Sequence, residues 1–244
     1  MRKKRGYKRE TPAELVRDYK LFAIACEGSK TEPEYFGIFE YFSPKIKVDI
    51  IESKVSDAEM LATHNNRSAP KWVLDRAMKY IERVGLIDED ELWFVMDIDK
   101  WSPEQIREIA EYCAKYINWH IVLSNPCFEV WLYFHKKSDI SKSKSVNSQD
   151  FKTEITSFFS GGYNPYKIIH LLPDAIANAK ANDSDPDHYA PKHKETKVYL
   201  LGEAIMNTIG KNDFEDFVKN KLPNLRKLKI RVPETKPTKS PKRK

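Results

Sequence analysis

Four short runs dominated by apolar and β-branched residues alternate along the first half of this chain with segments whose apolar positions recur every three to four residues. The runs are 21–26 (Leu21-Phe22-Ala23-Ile24-Ala25-Cys26), 46–51, 91–96 (Glu91-Leu92-Trp93-Phe94-Val95-Met96) and 119–124. An apolar run without polar alternation marks a strand buried on both faces of a parallel sheet. Between them, 70–84 offers Trp72, Leu74, Ala77, Met78 and Ile81 for burial and predicts an amphipathic helix. Ser102-Pro103-Glu104-Gln105 supplies an N-cap, a first-turn proline and a capping-box glutamine, opening a helix to about residue 115. Thr31 and Glu34 have the same box spacing and predict a helix through residue 41. Strands alternating with helices predict an α/β fold, a doubly wound parallel sheet joined by right-handed crossovers.

The pattern changes after Asn125-Pro126, which opens a helix at 127–135. Residues 136–150 are rich in Ser, Lys and Asp and carry no apolar period. Helices are predicted at 151–159, 166–181, 196–209 and 213–221, with Gly161-Gly162 and 182–194 as breaks. The expected organisation is therefore a basic arm (1–17), an α/β domain (18–136) and a linker or mobile loop (137–150). A helical region packed on the domain (151–222) and a basic, disordered tail (223–244) complete it. No internal repeat is present.

With 244 residues, 32% charged and 41% hydrophobic, the chain is long enough for one sizeable core and is not a disordered composition. No apolar run approaches the ~20 residues that span a bilayer, and the basic start leads into polar sequence without a signal-peptide core. A cytoplasmic location and no membrane partner are expected. Three cysteines without paired spacing suggest neither disulfides nor a zinc site, and read as small core side chains. Cys127 alone, at a helix start, has a route to reactivity. The net charge of +6 is unevenly distributed. Residues 1–10 hold six Lys/Arg against one Glu and 226–244 nine against one, which leaves the body at −7. Basic arms on an acidic body suit a partner such as nucleic acid, and equally suit simple solubility.

Two of the apolar runs end in carboxylates, Glu27-Gly28 after the first and Asp97-Ile98-Asp99 after the third. In parallel sheets chemistry collects beyond the carboxyl ends of the strands. Side chains two apart in extended chain share a side, so Asp97 and Asp99 could reach one ion. Three carboxylates at close quarters need a cation, and hard oxygen donors suit Mg2+ or Mn2+. An acidic residue past a strand also serves as an N-cap or a solvated loop residue. Gly28 allows a tight turn and lets backbone approach a ligand, and Lys30 could meet a phosphate, but Gly28-Ser29-Lys30-Thr31 lacks the glycine and Gly-Lys pair of a P-loop. Glu129 sits in an all-apolar helix and so needs a buried partner: a metal or active-site lysine, or a structural cation or backbone N–H cluster. The six histidines lack ligand spacing. Asp183, Asp185 and Asp187 lack the Gly and closing Glu of a calcium loop and read as a solvated loop.

The motifs Cys26-Glu27-Gly28-x-Lys30-Thr31-Glu32, Asp97-x-Asp99, Ser124-Asn125-Pro126-Cys127-Phe128-Glu129-x-Trp131-Leu132, Tyr166-Lys167 and Thr196-Lys197-Val198-Tyr199-x-Leu201 stand in order from about residue 5 to 209. In them the chain resembles the RloB-like family. The resemblance implies a Toprim-like (Rossmann-like) fold and a place in bacterial antiphage defence or abortive infection. It implies metal-dependent phosphodiester cleavage of DNA or RNA, tRNA included, with Mg2+ or Mn2+ as cofactor. Glu27, Asp97 and Asp99 would be the catalytic and metal residues, with Glu129 a further ligand and Lys30 or Lys100 stabilising the transition state. Lys100, Lys167, Arg226, Lys227, Lys229 and Arg231 would hold nucleic acid, and Asn125 belongs to the site motif. An ATPase partner and a homodimer are further expectations. The alternatives are a non-catalytic sensor or effector partner of a defence ATPase complex, and a metal-dependent nucleotide-sugar transferase, which would leave Glu27 unexplained.

Overall fold

A computed structural model describes residues 18–51, 70–99, 101–159 and 163–229. The four predicted strands form within about a residue of their expected ends: β1 (Lys20–Cys26), β2 (Ile46–Ile51), β3 (Glu91–Asp97) and β4 (Trp119–Ser124). They make one all-parallel sheet in the order β2-β1-β3-β4. Side chains alternate between two cores. Phe22, Ile24, Cys26, Trp93, Val95 and Val122 enter one, and Ala23, Ala25, Leu92, Phe94 and Met96 the other. Both faces are dry, which is why the central runs show no polar alternation.

Helix α1 (Thr31–Phe36), prolonged by a 3-10 turn at Gly37–Tyr41, carries the chain from β1 to β2 over the first face and buries Tyr35, Phe36, Ile38 and Phe39. Helices α2 (Pro70–Val84) and α3 (Pro103–Cys113) cover the opposite face through Val73, Ala77, Tyr80, Ile106, Ile109 and Cys113. The chain steps one way from β1 to β2 and the other way from β2 past β1 to β3. Helices on opposite faces therefore keep the crossovers to one hand. The reversal opens a crevice between the carboxyl ends of β1 and β3, the place where such sheets bind ligands.

The capping box at α3 forms as its sequence requires: Gln105 N–H donates to Ser102 Oγ at 3.3 Å and Ser102 N–H to Gln105 Oε1 at 3.0 Å. The box expected at Thr31 does not. Thr31 is already the first helical residue, and Lys30 at the N-cap has no side-chain acceptor.

The rest of the chain adds α4 (Glu129–Tyr133), α5 (Ser148–Ser157), α6 (Pro165–Ile168), α7 (Leu172–Ala181), α8 (Val198–Ile209), α9 (Lys211–Asp216) and α10 (Leu222–Lys229). Their apolar faces, with Trp131, Phe134, Phe151, Leu172 and Ile205, join the first core. In that core Tyr35 O–H lies 2.9 Å from His135 Nε2, while His135 Nδ1 faces the Trp131 carbonyl at 3.2 Å. Burial drives the imidazole down to about 3 and keeps it neutral.

Several sequence expectations are revised here. Residues 137–150 are built into the body: Ile140, Ser143 and Ser145 are buried, the two serine hydroxyls donate to the Glu154 carboxylate, and α5 already begins at Ser148. Hydroxyl contacts tie this segment down, so it has no apolar period to read. The chain past Pro223 stays helical to Lys229, because Leu222 is buried and the Arg226 guanidinium donates to the carbonyls of Tyr166 (2.8 Å) and Lys167 (3.4 Å). The helix expected at 166–181 is interrupted by a 3-10 turn at Ile169–Leu171, with Pro173 in the first turn of α7. Asp183 is buried against Lys197 rather than solvated.

Candidate metal centre

β1 and β3 deliver their carboxylates to the same crevice. Glu27 follows the last residue of β1, its N–H donating to the Val95 carbonyl at 3.0 Å, and its Oε2 accepts the Asp97 N–H at 3.0 Å. The two strand ends are thus pinned beyond the ladder itself. Glu27, Glu32 of α1 and Glu129 of α4 are only 6%, 8% and 8% exposed, so three acids from three elements are withdrawn from water together. Their charges act on one another. Burial pushes the Asp97 carboxyl well above its ordinary range, and Glu27, Glu32, Glu129 and Asp99 push it in the same direction. Glu32 is raised by burial first and then by Glu129 and Glu27, against backbone hydrogen bonds that lower it. A field of this kind favours a cation among the oxygens. As the side chains stand, no three His, Cys, Asp or Glu among the described residues close around a single point that would hold an ion.

Asp99 differs from the other acids in its exposure and its partner. It is exposed at the rim, where its carboxylate accepts the hydroxyl of Ser148, the first residue of α5. The chain turns after Asp97: Ile98 N–H goes to the Ser124 carbonyl at 3.0 Å and Asp99 N–H to the Pro126 carbonyl at 3.3 Å. The Asn125-Pro126 turn, with a cis peptide bond, is fixed from its other side. Asn125 N–H donates to the Glu195 carbonyl (2.9 Å), its carbonyl accepts Lys194 N–H (2.7 Å), and its Nδ2 donates to the Pro191 carbonyl (3.1 Å).

Two residues near the site escaped the sequence reading. Glu32 reads from sequence as an ordinary first-turn acid, and only its proximity to Gly28 marks it. Arg76 of α2 donates from Nη2 to the Cys26 carbonyl at 2.8 Å and brings a cation toward Glu27. The glycine at position 28 is explained by Glu32: a Cβ there would lie 2.2 Å from Glu32 Oε2. Because the clashing atom is the end of a side chain, Gly28→Ala is expected to displace the Glu32 carboxylate and leave the fold standing. A melting temperature within about 5 °C of wild type would be the result.

The remaining predicted residues divide. Lys30 is exposed at the start of α1, and Lys227 and Lys229 are exposed on α10. Lys167 is half-buried on α6. The Arg226 guanidinium is committed to the α6 carbonyls and to His170 Nδ1 at 3.1 Å, so it anchors α10. Lys100, Arg231, the 1–17 arm and residues 230–244 lie outside the described residues. The reactivity considered for Cys127 is not supported, since burial first, and Glu129 and Asp97 after it, push its thiol far up.

No helix among the described residues is long and apolar enough to cross a membrane. No curated protein and no solved structure matches the chain. The family described as RloB-like protein matches residues 22–205, a span that runs from within β1 into α8 and takes in Glu27, Asp97, Glu129 and the segment that braces Asn125. On that match, which covers most of the sequence, the chain belongs to the RloB-like family.

Proposed function

We propose that this protein is a Mg2+- or Mn2+-dependent nuclease of the Toprim type, hydrolysing phosphodiester bonds in DNA or RNA as part of antiphage defence. The supporting observation is the junction of two strand ends at the crevice between β1 and β3, where Glu27 Oε2 accepts the Asp97 N–H at 3.0 Å and the charges of Glu32 and Glu129 act on Asp97. The donor set is all carboxylate oxygen, which fits a hard divalent ion. Glu27, Asp97, Asp99 and Glu129, with Glu32 beside them, would hold it. The bound ion would neutralise phosphate charge and bring a water's pKa toward about 7.

The chain's own groups divide the remaining work. Glu27, oriented by the Asp97 N–H, serves as general base or as a ligand. Lys30 meets charge developing on the phosphate as the bond breaks. Lys227 and Lys229 on α10, with the basic tails, hold the nucleic-acid backbone without reading sequence. Asp99 joins the ion only when its carboxylate leaves Ser148.

A second reading, a non-catalytic partner of an ATPase in a defence complex, draws support from the engagement of Asp99 by Ser148 and from the lack, among the described residues, of three ligand-type side chains closed on one point. One assay separates the two: purified protein with plasmid DNA, single-stranded DNA and total tRNA, each in Mg2+, Mn2+ or EDTA. Cutting in metal and none in EDTA is the expected result. No cutting of any substrate in either metal would leave the partner reading standing.

A further inference from the structure

Residues 143–148 form a short strap beside Asp99, fastened at both ends. At one end Ser148, the first residue of α5, donates its hydroxyl to Asp99 Oδ2. At the other the Ser143 carbonyl accepts Lys194 Nζ at 2.8 Å, and the Ser143 and Ser145 hydroxyls donate to the Glu154 carboxylate. Both fastenings lead back to Asp99. Lys194 N–H also donates to the Asn125 carbonyl at 2.7 Å, and Pro126, the next residue of that turn, accepts the Asp99 N–H at 3.3 Å. Lys194 holds its place at a cost: with φ at 68° it is the one non-glycine residue of positive φ among the described residues. A bulky residue persists in that region where its contacts over-determine it, and such residues gather at functional sites. Glycine or asparagine would adopt the conformation more easily, but neither carries an amine to Ser143. The Ser148 hydroxyl, for its part, is not needed to start its helix. That cap is closed by Asp150 N–H on Asn147 Oδ1 (3.0 Å) and Asn147 N–H on Asp150 Oδ2 (3.3 Å). Next to Ser148 the chain surfaces, with Val146 60% exposed, so this end can shift without unpacking the core.

We propose that the strap is an autoinhibitory contact: Ser148, kept in place by the Lys194 clasp, withholds the Asp99 carboxylate from the ion. The proposal rests on the metal-dependent nuclease reading and concerns how that centre is regulated. A carboxylate oxygen engaged by a hydroxyl is not available to a cation. Tight binding then draws only on the fraction of molecules in which Asp99 has been released, and the apparent affinity for the ion is reduced by that fraction. Loosening the strap at either end raises the affinity.

The test is a Mn2+ titration of the full chain, read as the rise in melting temperature and as cleavage of plasmid DNA, single-stranded DNA and total tRNA at limiting Mn2+. Ser148→Ala should lower the Mn2+ concentration that gives half of the rise about 3- to 10-fold, with faster cleavage at limiting metal. Lys194→Met keeps the backbone bond to Asn125 and removes only the amine, and should shift the titration the same way. Combined with Asp99→Asn, Ser148→Ala should make no further difference. A half-saturating concentration unchanged or raised by Ser148→Ala would overturn the proposal. So would the same shift persisting in the Asp99→Asn background, because the serine would then act through another group. The underlying reading fails elsewhere: a wild type whose melting temperature ignores both Mn2+ and Mg2+, and which cuts no substrate, has no metal centre, and the role given to the strap falls with it.

Discussion

Asp97→Asn is expected to lose at least about 100-fold in metal-dependent cleavage while melting higher than the wild type in EDTA. The two effects have one cause. Burial and four neighbouring carboxylates raise the Asp97 carboxyl in the folded state, so the stability it contributes is fully present below its unfolded pKa, about 4, and is lost as pH rises through the raised folded value. At neutral pH the metal-free wild type bears the cost of that upward shift and the amide does not. The difference should amount to about 2–4 °C for each kcal/mol relieved, and should shrink as the pH is taken down toward 4. Mg2+ or Mn2+ should reverse the order, because an ion bound only by the folded wild type stabilises it by mass action. Thermal melts at several pH values, with and without metal, check both halves. An Asn variant that melts below the wild type in EDTA throughout would show that Asp97 is held by structural contacts instead.

Lys197→Met should cost about 3–5 kcal/mol, the range for removing one partner of a buried ion pair. Lys197 and Asp183 are 1% and 0% exposed at their side chains. Nζ donates to both Asp183 oxygens at 2.8 and 2.6 Å and to the Asp185 carbonyl at 2.6 Å, while Tyr199 O–H adds 2.7 Å to Oδ2. Burial pushes the Asp183 carboxyl up, and the bonds from Lys197 and Tyr199 outweigh it, so the group sits below its ordinary range. Its stabilisation is present above the unfolded pKa and is lost as pH falls through the folded one. Methionine matches the length of lysine without the charge, leaving a buried carboxylate with the Tyr199 hydroxyl and the Asp185 N–H. Adding Asp183→Asn to Lys197→Met should recover part of the loss, and denaturant melts of the double-mutant cycle measure it. The damage should also reach the candidate centre. Lys197 N–H donates to the Leu123 carbonyl at 2.8 Å, and Thr196 and Ser124 hydroxyls meet at 2.8 Å, so this segment braces the turn that carries Asn125.

The sheet was legible because its strands are buried on both faces and announce themselves as unbroken apolar runs. Glu27 and Asp97 stood out as the charges that end two of them, and Glu129 as an acid inside an apolar helix. What stayed hidden has physical reasons. Glu32 occupies a first-turn position where an acid is expected on helix-dipole grounds. Lys197 and Asp183 are each of a type normally exposed, and nothing in either neighbourhood reveals that they bury one another across fourteen positions. The side-chain direction of Asp99 depends on a serine forty-nine residues away. Ser143 and Ser145, tied to Glu154, gave their segment the composition of a loop although it is part of the body.

The strand order also governs when the molecule can exist during synthesis. β1 is central, yet its partner on one side arrives late: Phe22 pairs with Glu91, and Leu21 N–H reaches the Asp90 carboxylate at 3.1 Å across sixty-nine positions. A ribosome adding about 5–20 residues per second needs on the order of 4–14 s to supply that stretch. Throughout it the most apolar strand keeps an open edge, an invitation to a chaperone or to a neighbouring chain. The same delay keeps Glu27 from Asp97, so the event that closes the sheet is also the event that assembles the acids. Before residue 97 has been made, the chain cannot bring these two acids together.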